Sequence, residues 1–405
     1  MDLIDKLKYY QTEKRQNLSD QIPHIEKIAF DLNGKILEKN ALPIIKIERF
    51  EPYSDFNHAL ANNNPLTVNL PLLSKKQFQE PISLNDLLAF DLETTGLAGG
   101  TGTYPFLMGF GIFEEKGIRI YQYFLPEFGR EVSAFLDLRT LWAEKNTLLS
   151  YNGKSFDYPL MRSRMILNRV NNPLEHYNHL DLLPIARRLW KDVLPSCSLD
   201  TIEEQIFYMN RWRDIDGMLI PQAYFTFLQN GDTNDIKRII NHNQMDIISL
   251  ARLLFYLHQT ENNHMTSSFY DHEKVAMFNI AVTISDFAHI DPIIGTLTAE
   301  NKKIPAQSLK KYSLLLKRQK KWQQALKIWQ NFIDIGEEVM FSYEELAKYY
   351  EHREINIQKA IDYAERARDF IGIMEEIQIQ EDYSALKGRF NHRLNRLNIK
   401  LKKSL

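Results

Sequence analysis

The apolar run Leu87-Leu88-Ala89-Phe90 ends on two acidic residues, Asp91 and Glu93, with Leu92 between them. In a strand, side chains i and i+2 share a face, so this run delivers two carboxylates to one side of a strand end. Buried without partners, such a pair is costly. Divalent cations that prefer carboxylate oxygen, Mg²⁺ or Mn²⁺, are natural partners; a solvated strand end is the plainer alternative. Thr94-Thr95-Gly96-Leu97 then turns the chain away and leaves room above the pair. The next segments point to an α/β fold. Phe106–Phe113 and Ile118–Phe124 read as antiparallel strands joined by Glu114-Glu115-Lys116-Gly117 as a hairpin turn. A helix is expected around 130–143, a strand at Thr147–Tyr151 and a helix from about Asp157, with more helices across 179–257.

Two further segments carry acids in suggestive places. In Tyr151-Asn152-Gly153-Lys154-Ser155-Phe156-Asp157 a strand ends, a short loop follows, and Asp157 opens a helix. A helix N-cap is an equally ordinary use of that carboxylate. In the segment from His242 to Leu254, positions 247, 250, 251 and 254 are apolar and fit one helix face. His242 and Asp246 are four residues apart and share a face; alone, such a pair also fits a surface contact.

Taken together and in this order, the three segments resemble the DEDD exonuclease superfamily. Asp91 and Glu93 sit in Asp-x-Glu-Thr-Thr-Gly, Asp157 follows an Asn and an aromatic residue, and Asp246 matches the last motif. The resemblance is closest to the YprB-like ribonuclease-H-like family. It is carried by Thr95-Gly96-Leu97-Ala98-Gly99-Gly100-Thr101-Gly102-Thr103, Phe106-Leu107-Met108-Gly109, His179-Leu180-Asp181-Leu182-Leu183, Leu194–Leu199 and His242-Asn243-x-x-Asp246, over about residues 85–258. It implies a ribonuclease-H-like mixed sheet flanked by helices, and a 3′–5′ exonuclease acting on single-stranded DNA or RNA. It also implies two Mg²⁺ or Mn²⁺ ions, one held by Asp91, Glu93 and Asp246 and the other by Asp91 and Asp157. Thr94, Gly96, Leu97, Asn152, Lys154, Phe156 and Arg162 are the expected nucleic-acid contacts, with Arg164 and Arg169 near enough to grip a strand. One feature departs from the pattern. The main DEDD classes place Tyr three intervening residues before the last Asp, or His four before it. Here His242 has the tyrosine-type spacing, and Asn241, at the other, cannot act as a base. His242 is a general base one helical turn from Asp246 in this reading.

The remainder frames these motifs. The expected organisation is an extension over 1–82, the ribonuclease-H-like domain over 83–262, and an α-helical tetratricopeptide-like domain over 263–405. Asn62-Asn63-Asn64-Pro65 marks a turn in the first. In the last, Trp322–Trp329 echoes Ile357–Ala364, a weak repeat that suggests stacked helix pairs. Net charge is −2, so a polyanion site depends on local patches. Residues 301–333 and 383–405 lack Asp and Glu but are rich in Lys and Arg, and Trp322 and Tyr312 offer stacking rings. A solvated helix face with core aromatics explains the same blocks. The single cysteine, Cys197, allows no internal disulfide and reads as a packing residue. The absence of a signal-like start or a long apolar run leads us to expect a cytoplasmic protein without membrane contact. Two rivals to the nuclease stay open: a catalytically weak nucleic-acid-binding protein, and an adaptor that recruits a protein partner through its helical domain.

Overall fold

The computed structural model describes residues 25–38, 41–56, 67–96, 102–142, 145–171, 176–211, 214–262, 271–300, 302–377 and 383–404. The chain forms two compact units, Met1–Ala276 and Met277–Leu405.

The first unit contains, in order, α1 (Ile25–Asp31), β1 (Lys35–Leu37), β2 (Ile44–Pro52), β3 (Thr67–Val68), β4 (Ile82–Ser83), β5 (Leu87–Thr94), β6 (Pro105–Phe113) and β7 (Gly117–Phe124). It continues with α2 (Glu131–Trp142), β8 (Thr147–Ser150), α3 (Asp157–Leu167), β9 (Asn178–Asp181), α4 (Leu183–Trp190), α5 (Leu199–Gln205), α6 (Ile220–Asn230) and α7 (Asn234–Asn262). Then α8 (Asp271–Ile284) crosses the division between the units.

One sheet of 7 strands organises this unit, in the order β1-β2-β7-β6-β5-β8-β9. Strands β5, β8 and β9 run parallel, and the other pairings are antiparallel. The hairpin and the strand–helix order match the expected mixed α/β domain. The two outer strands, β1 and β2, come from the segment read as an extension. Ile45 pairs with Phe124 and Pro52 with Gly117, so β2 continues the sheet beside β7. The turn expected at Asn62–Pro65 lies outside the described residues.

Alternation along β5 and β6 divides the sheet's faces. Phe90 stacks near Phe110, which meets Trp142 of α2 edge-on. On the opposite face, α7 lies over β5 and β6 because two glycines make room. A Cβ added to Gly111 would stand 2.6 Å from Ile247, and one added to Gly109 would stand 2.8 Å from Cγ of Asn243. The buried stripe of α7 runs through Ile236, Ile239, Ile240, Asn243, Ile247, Leu250 and Leu254, the spacing of one helix face.

The second unit is helical: α9 (Phe287–Ala299), α10 (Ala306–Arg318), α11 (Trp322–Ile335), α12 (Val339–His352), α13 (Ile357–Ile377) and α14 (Ser384–Ser404). From α10 onward each helix packs against the next in the chain. The two echoed segments open α11 and α13, and each buries its alanine, Ala325 or Ala360, completely. No described helix is long and apolar enough to cross a membrane.

Candidate metal and active site

Asp91, Gly109 and Gln122 lie in one row across β5, β6 and β7. Asn243 of α7 descends over the bare Gly109. Its amide donates to Asp91 Oδ2 at 2.8 Å, and its own oxygen accepts from Gln122 Nε2 at 2.9 Å. Gln122 also donates to the Ile240 carbonyl at 2.7 Å. A fully buried amide thus replaces an apolar side chain in the α7 stripe and orients one acid. Glu93, two residues on, is buried where the β5–β6 register shifts at Glu93/Thr94; such bulges re-aim side chains. Thr95 and Tyr104 then exchange hydrogen bonds across the root of the following loop.

Asp157 is the first residue of α3. Its loop is gathered by Asp181 at the end of β9, whose carboxylate accepts the N–H groups of Asn152 (2.8 Å), Lys154 (3.2 Å) and Leu183 (3.1 Å). Asn152 takes a left-handed φ of 66°. A Cβ on Gly153 would press on Ser150 at 2.7 Å and on Asp157 Oδ2 at 3.1 Å. The tight loop therefore needs glycine at that point.

His242 and Asp246 project from α7. Nε2 of His242 stands 3.6 Å from Asp246 Oδ2 and 4.0 Å from Glu93 Oε1. Nδ1 is 2.8 Å from Asp214 Oδ2. With a proton on Nδ1, the Asp214 bond leaves the Nε2 lone pair facing the acids. Glu93, His242 and Asp246 each offer a ligand atom within 4.8 Å of the others.

The acids act on one another. Burial, then the charges of Asp246 and Asp157, push Asp91 well above the usual carboxylate range, against the pull of Asn243 and Arg211. Glu93 is raised in the same way, by burial and then by Asp91, Asp246 and Asp157. Asp157 is pushed up to about 7 by burial, with Asp181 and Asp246 adding to it. Burial also raises Asp246, opposed by Arg211 and His242. Carboxylates from three separate chain segments that resist ionising together form a donor set suited to hard divalent cations.

One cation already stands at the rim. Arg211 binds Glu203 through Nε and Nη2, both at 2.6 Å, reaches Asp214 at 3.2 Å, and closes on Asp246 Oδ1. Burial disfavours its charge, but Glu203 and Asp246 hold it protonated. Asp214 is lowered: burial raises it, and His242, the Ile215 N–H and Arg211 outweigh that. Among the described residues, no Lys or Arg pairs with Asp91, Glu93 or Asp157.

The structure thus brings together all five acid and base positions expected from the sequence. The expected nucleic-acid contacts are more scattered. Thr94 is half-buried and donates to the Gly96 carbonyl at 2.8 Å, while Leu97 lies outside the described residues. Asn152 and Lys154 serve the loop through their backbone, and the Lys154 and Arg162 side chains are exposed. Phe156 exposes about half its surface next to Asp157. Arg164, expected to grip a strand, instead turns inward to the fully buried Glu131. Arg211, Asp214 and Glu203 were not anticipated. Arg211 joins partners 8 and 35 residues away, and no local pattern marks it. Asn243 could have been singled out as the one amide in the buried phase of an apolar helix.

A family model described as the RNase_H superfamily matches residues 88–258. A Bacillus subtilis (strain 168) protein named "Uncharacterized protein YprB" is 30% identical over 381 residues, spanning 91% of this chain and 90% of that protein.

Proposed function

This chain belongs to the YprB-like family of ribonuclease-H-like proteins, and from that membership we propose that it is a metal-dependent nuclease. The proposed reaction is hydrolysis of phosphodiester bonds in single-stranded DNA or RNA, from the 3′ end, in the cytoplasm. The observation that carries the reading is the burial of Asp91, Glu93, Asp157 and Asp246 near enough to one another that Asp246 raises Asp91, Glu93 and Asp157, with Glu93, His242 and Asp246 offering ligand atoms within 4.8 Å of one another. These four would hold two Mg²⁺ or Mn²⁺ ions, and such ions supply charge neutralisation at phosphoryl oxygens and acidify water.

The chain's own groups have distinct tasks in this reading. Asn243 fixes Asp91 through its hydrogen bond, and Gly109 leaves space for that amide. Asp181 holds the loop that presents Asp157. His242, oriented by Asp214, presents Nε2 as the proton acceptor for attacking water. Phe156, exposed beside Asp157, offers a ring to a terminal base.

The test uses end-labelled single- and double-stranded DNA and RNA, with Mg²⁺, Mn²⁺ or chelator. The expected result is metal-dependent shortening of a 5′-labelled single strand through a ladder of products. Asp91→Asn and Asp157→Asn should each lower the rate by roughly 10²–10³-fold or more. Turnover that survives in both variants would refute the scheme. Arg211 favours a second reading, in which its hold on Asp246 leaves a protein that binds nucleic acid without cutting it. Tight binding of the same strands with no metal-dependent cleavage would select that reading.

A further inference from the structure

The basic composition of the second unit resolves into two kinds of cation. Most are paired. Lys303 and Lys310 meet Glu337 and Glu338, and Lys317 meets Glu345. Near the C-terminus, Arg389 meets Glu344, and Arg393, Arg396 and Lys400 converge on the buried Glu351. Tyr312, offered by the sequence as a stacking ring, is buried against Phe278. These groups hold the helices together.

Of the cations that have no ion pair among the described residues, four gather at one place, while others such as Lys327 and Lys402 stand apart. Lys311, Arg318, Lys320 and Arg353 line one open groove of about 690 Å³ together with Trp322, the paired Lys317 and the apolar Val282, Leu314 and Leu315, and no acid is among its lining residues. Lys311, Arg318, Lys320 and Arg353 are exposed and have no ion-pair partner among the described residues. Trp322 is half-buried, tilted against Tyr349 with ring centres 5.5 Å apart, and the Arg353 guanidinium lies 5.1 Å over its ring. Lys320 takes a left-handed φ of 58° at the turn between α10 and α11, which puts it just ahead of Trp322.

We propose that this groove is a second binding site for single-stranded nucleic acid, in which Trp322 and Arg353 stack on a base while Lys311, Arg318 and Lys320 meet the flanking phosphates. The cations would fit any polyanion. An aromatic–guanidinium pair among them matches a strand, in which flat bases alternate with phosphates, better than it matches an acidic peptide. The inference extends the nucleic-acid reading to the second unit but does not depend on hydrolysis, so the two fail separately.

The test is equilibrium binding of the full chain to fluorescein-labelled oligo(dT) and oligo(U) of about 15 nucleotides, in chelator, over a range of salt. Trp322→Ala should weaken binding roughly 5- to 100-fold, and Trp322→Phe should retain most of it. The exposed triple change Lys311→Glu, Arg318→Glu, Lys320→Glu should weaken binding at least tenfold and flatten the log–log salt slope by about 2. Thermal melts monitor folding, and the triple change, being on the surface, keeps the test decisive if Trp322→Ala unfolds. Metal-dependent cleavage of a dinucleotide should persist in the pocket variants. Affinity and salt slope unchanged in the triple variant would overturn the proposal. So would displacement of the oligonucleotide by poly-glutamate as readily as by unlabelled oligo(dT).

Discussion

Arg211 ties Glu203, Asp214 and Asp246 into one network, and Glu203 has almost no other access to solvent charge. Arg211→Gln should therefore cost about 3–5 kcal/mol of stability, because it leaves a buried carboxylate without its cation. Urea unfolding would measure it, and a loss under 1 kcal/mol would show the network to be loosely coupled. His179 provides a pH signature. It is buried beneath the site with Nε2 2.7 Å from Ser150 Oγ, and burial lowers it from the ordinary 6.5 to about 4. Below pH 6.5 the unfolded chain takes up a proton that the folded chain refuses. The contribution of His179 to stability should thus fall as pH drops from about 6.5 to about 4, by up to about 3 kcal/mol, against the opposite trend of the raised Asp91, Glu93 and Asp157. The stability difference between the wild type and His179→Gln, from melts across the window, should shift by that amount in favour of the variant as pH falls; a difference that does not change with pH would refute the assignment. At this scale the sequence was most legible where a residue type has few other reasons to be present. Asp91, Glu93, Asp157 and Asp246 stood out in motifs, and His242 stood out despite its spacing. Arg211 and Arg164 were opaque, because an arginine's partner is decided by distant segments: Glu203 for one, Glu131 for the other.

Strand β6 and helix α7 meet through two glycines, and that contact sets the height of His242, Asn243 and Asp246 above Asp91. Gly109→Ala should displace Asn243, since the added methyl would lie 2.8 Å from its Cγ. We expect a stability loss of about 1–3 kcal/mol from overpacking and a fall in metal-dependent cleavage larger than that of an exposed control such as Arg139→Ala. Full activity in Gly109→Ala would mean that Asn243 does not set the geometry of Asp91. Elements stitched by local turns, such as the β6–β7 hairpin, could be read from the chain. Strand β2 could not. Its partner β7 lies more than sixty residues downstream, no turn joins them, and Ile44-Ile45-Lys46-Ile47 alternates for only one step before polar residues intervene.

For the whole molecule, the mutual repulsion of the acids predicts a thermal response to metal. Mg²⁺ or Mn²⁺ at 100 times its dissociation constant should stabilise the fold by about 2.7 kcal/mol, seen as a rise in Tm by calorimetry. Asp91→Asn should abolish most of that rise; an equal rise in the variant would place the bound ion elsewhere. The sequence suggested three parts, with strand signals ceasing beyond about residue 265; the structure forms two compact units that divide after Ala276 within α8. The segment before residue 82 concealed its role because its strands complete a sheet whose centre is encoded later. The direction change at β5 has a consequence of its own. β5 and β8 run the same way and finish at one rim, but the chain leaving β5 doubles back into β6 while that leaving β8 proceeds into α3. Where neighbouring parallel strands send their chains in different directions, connectivity itself leaves a notch at the strand ends. Exchanging every acid there would strip the notch of its charge without filling it, so an inactivated variant should still admit a strand.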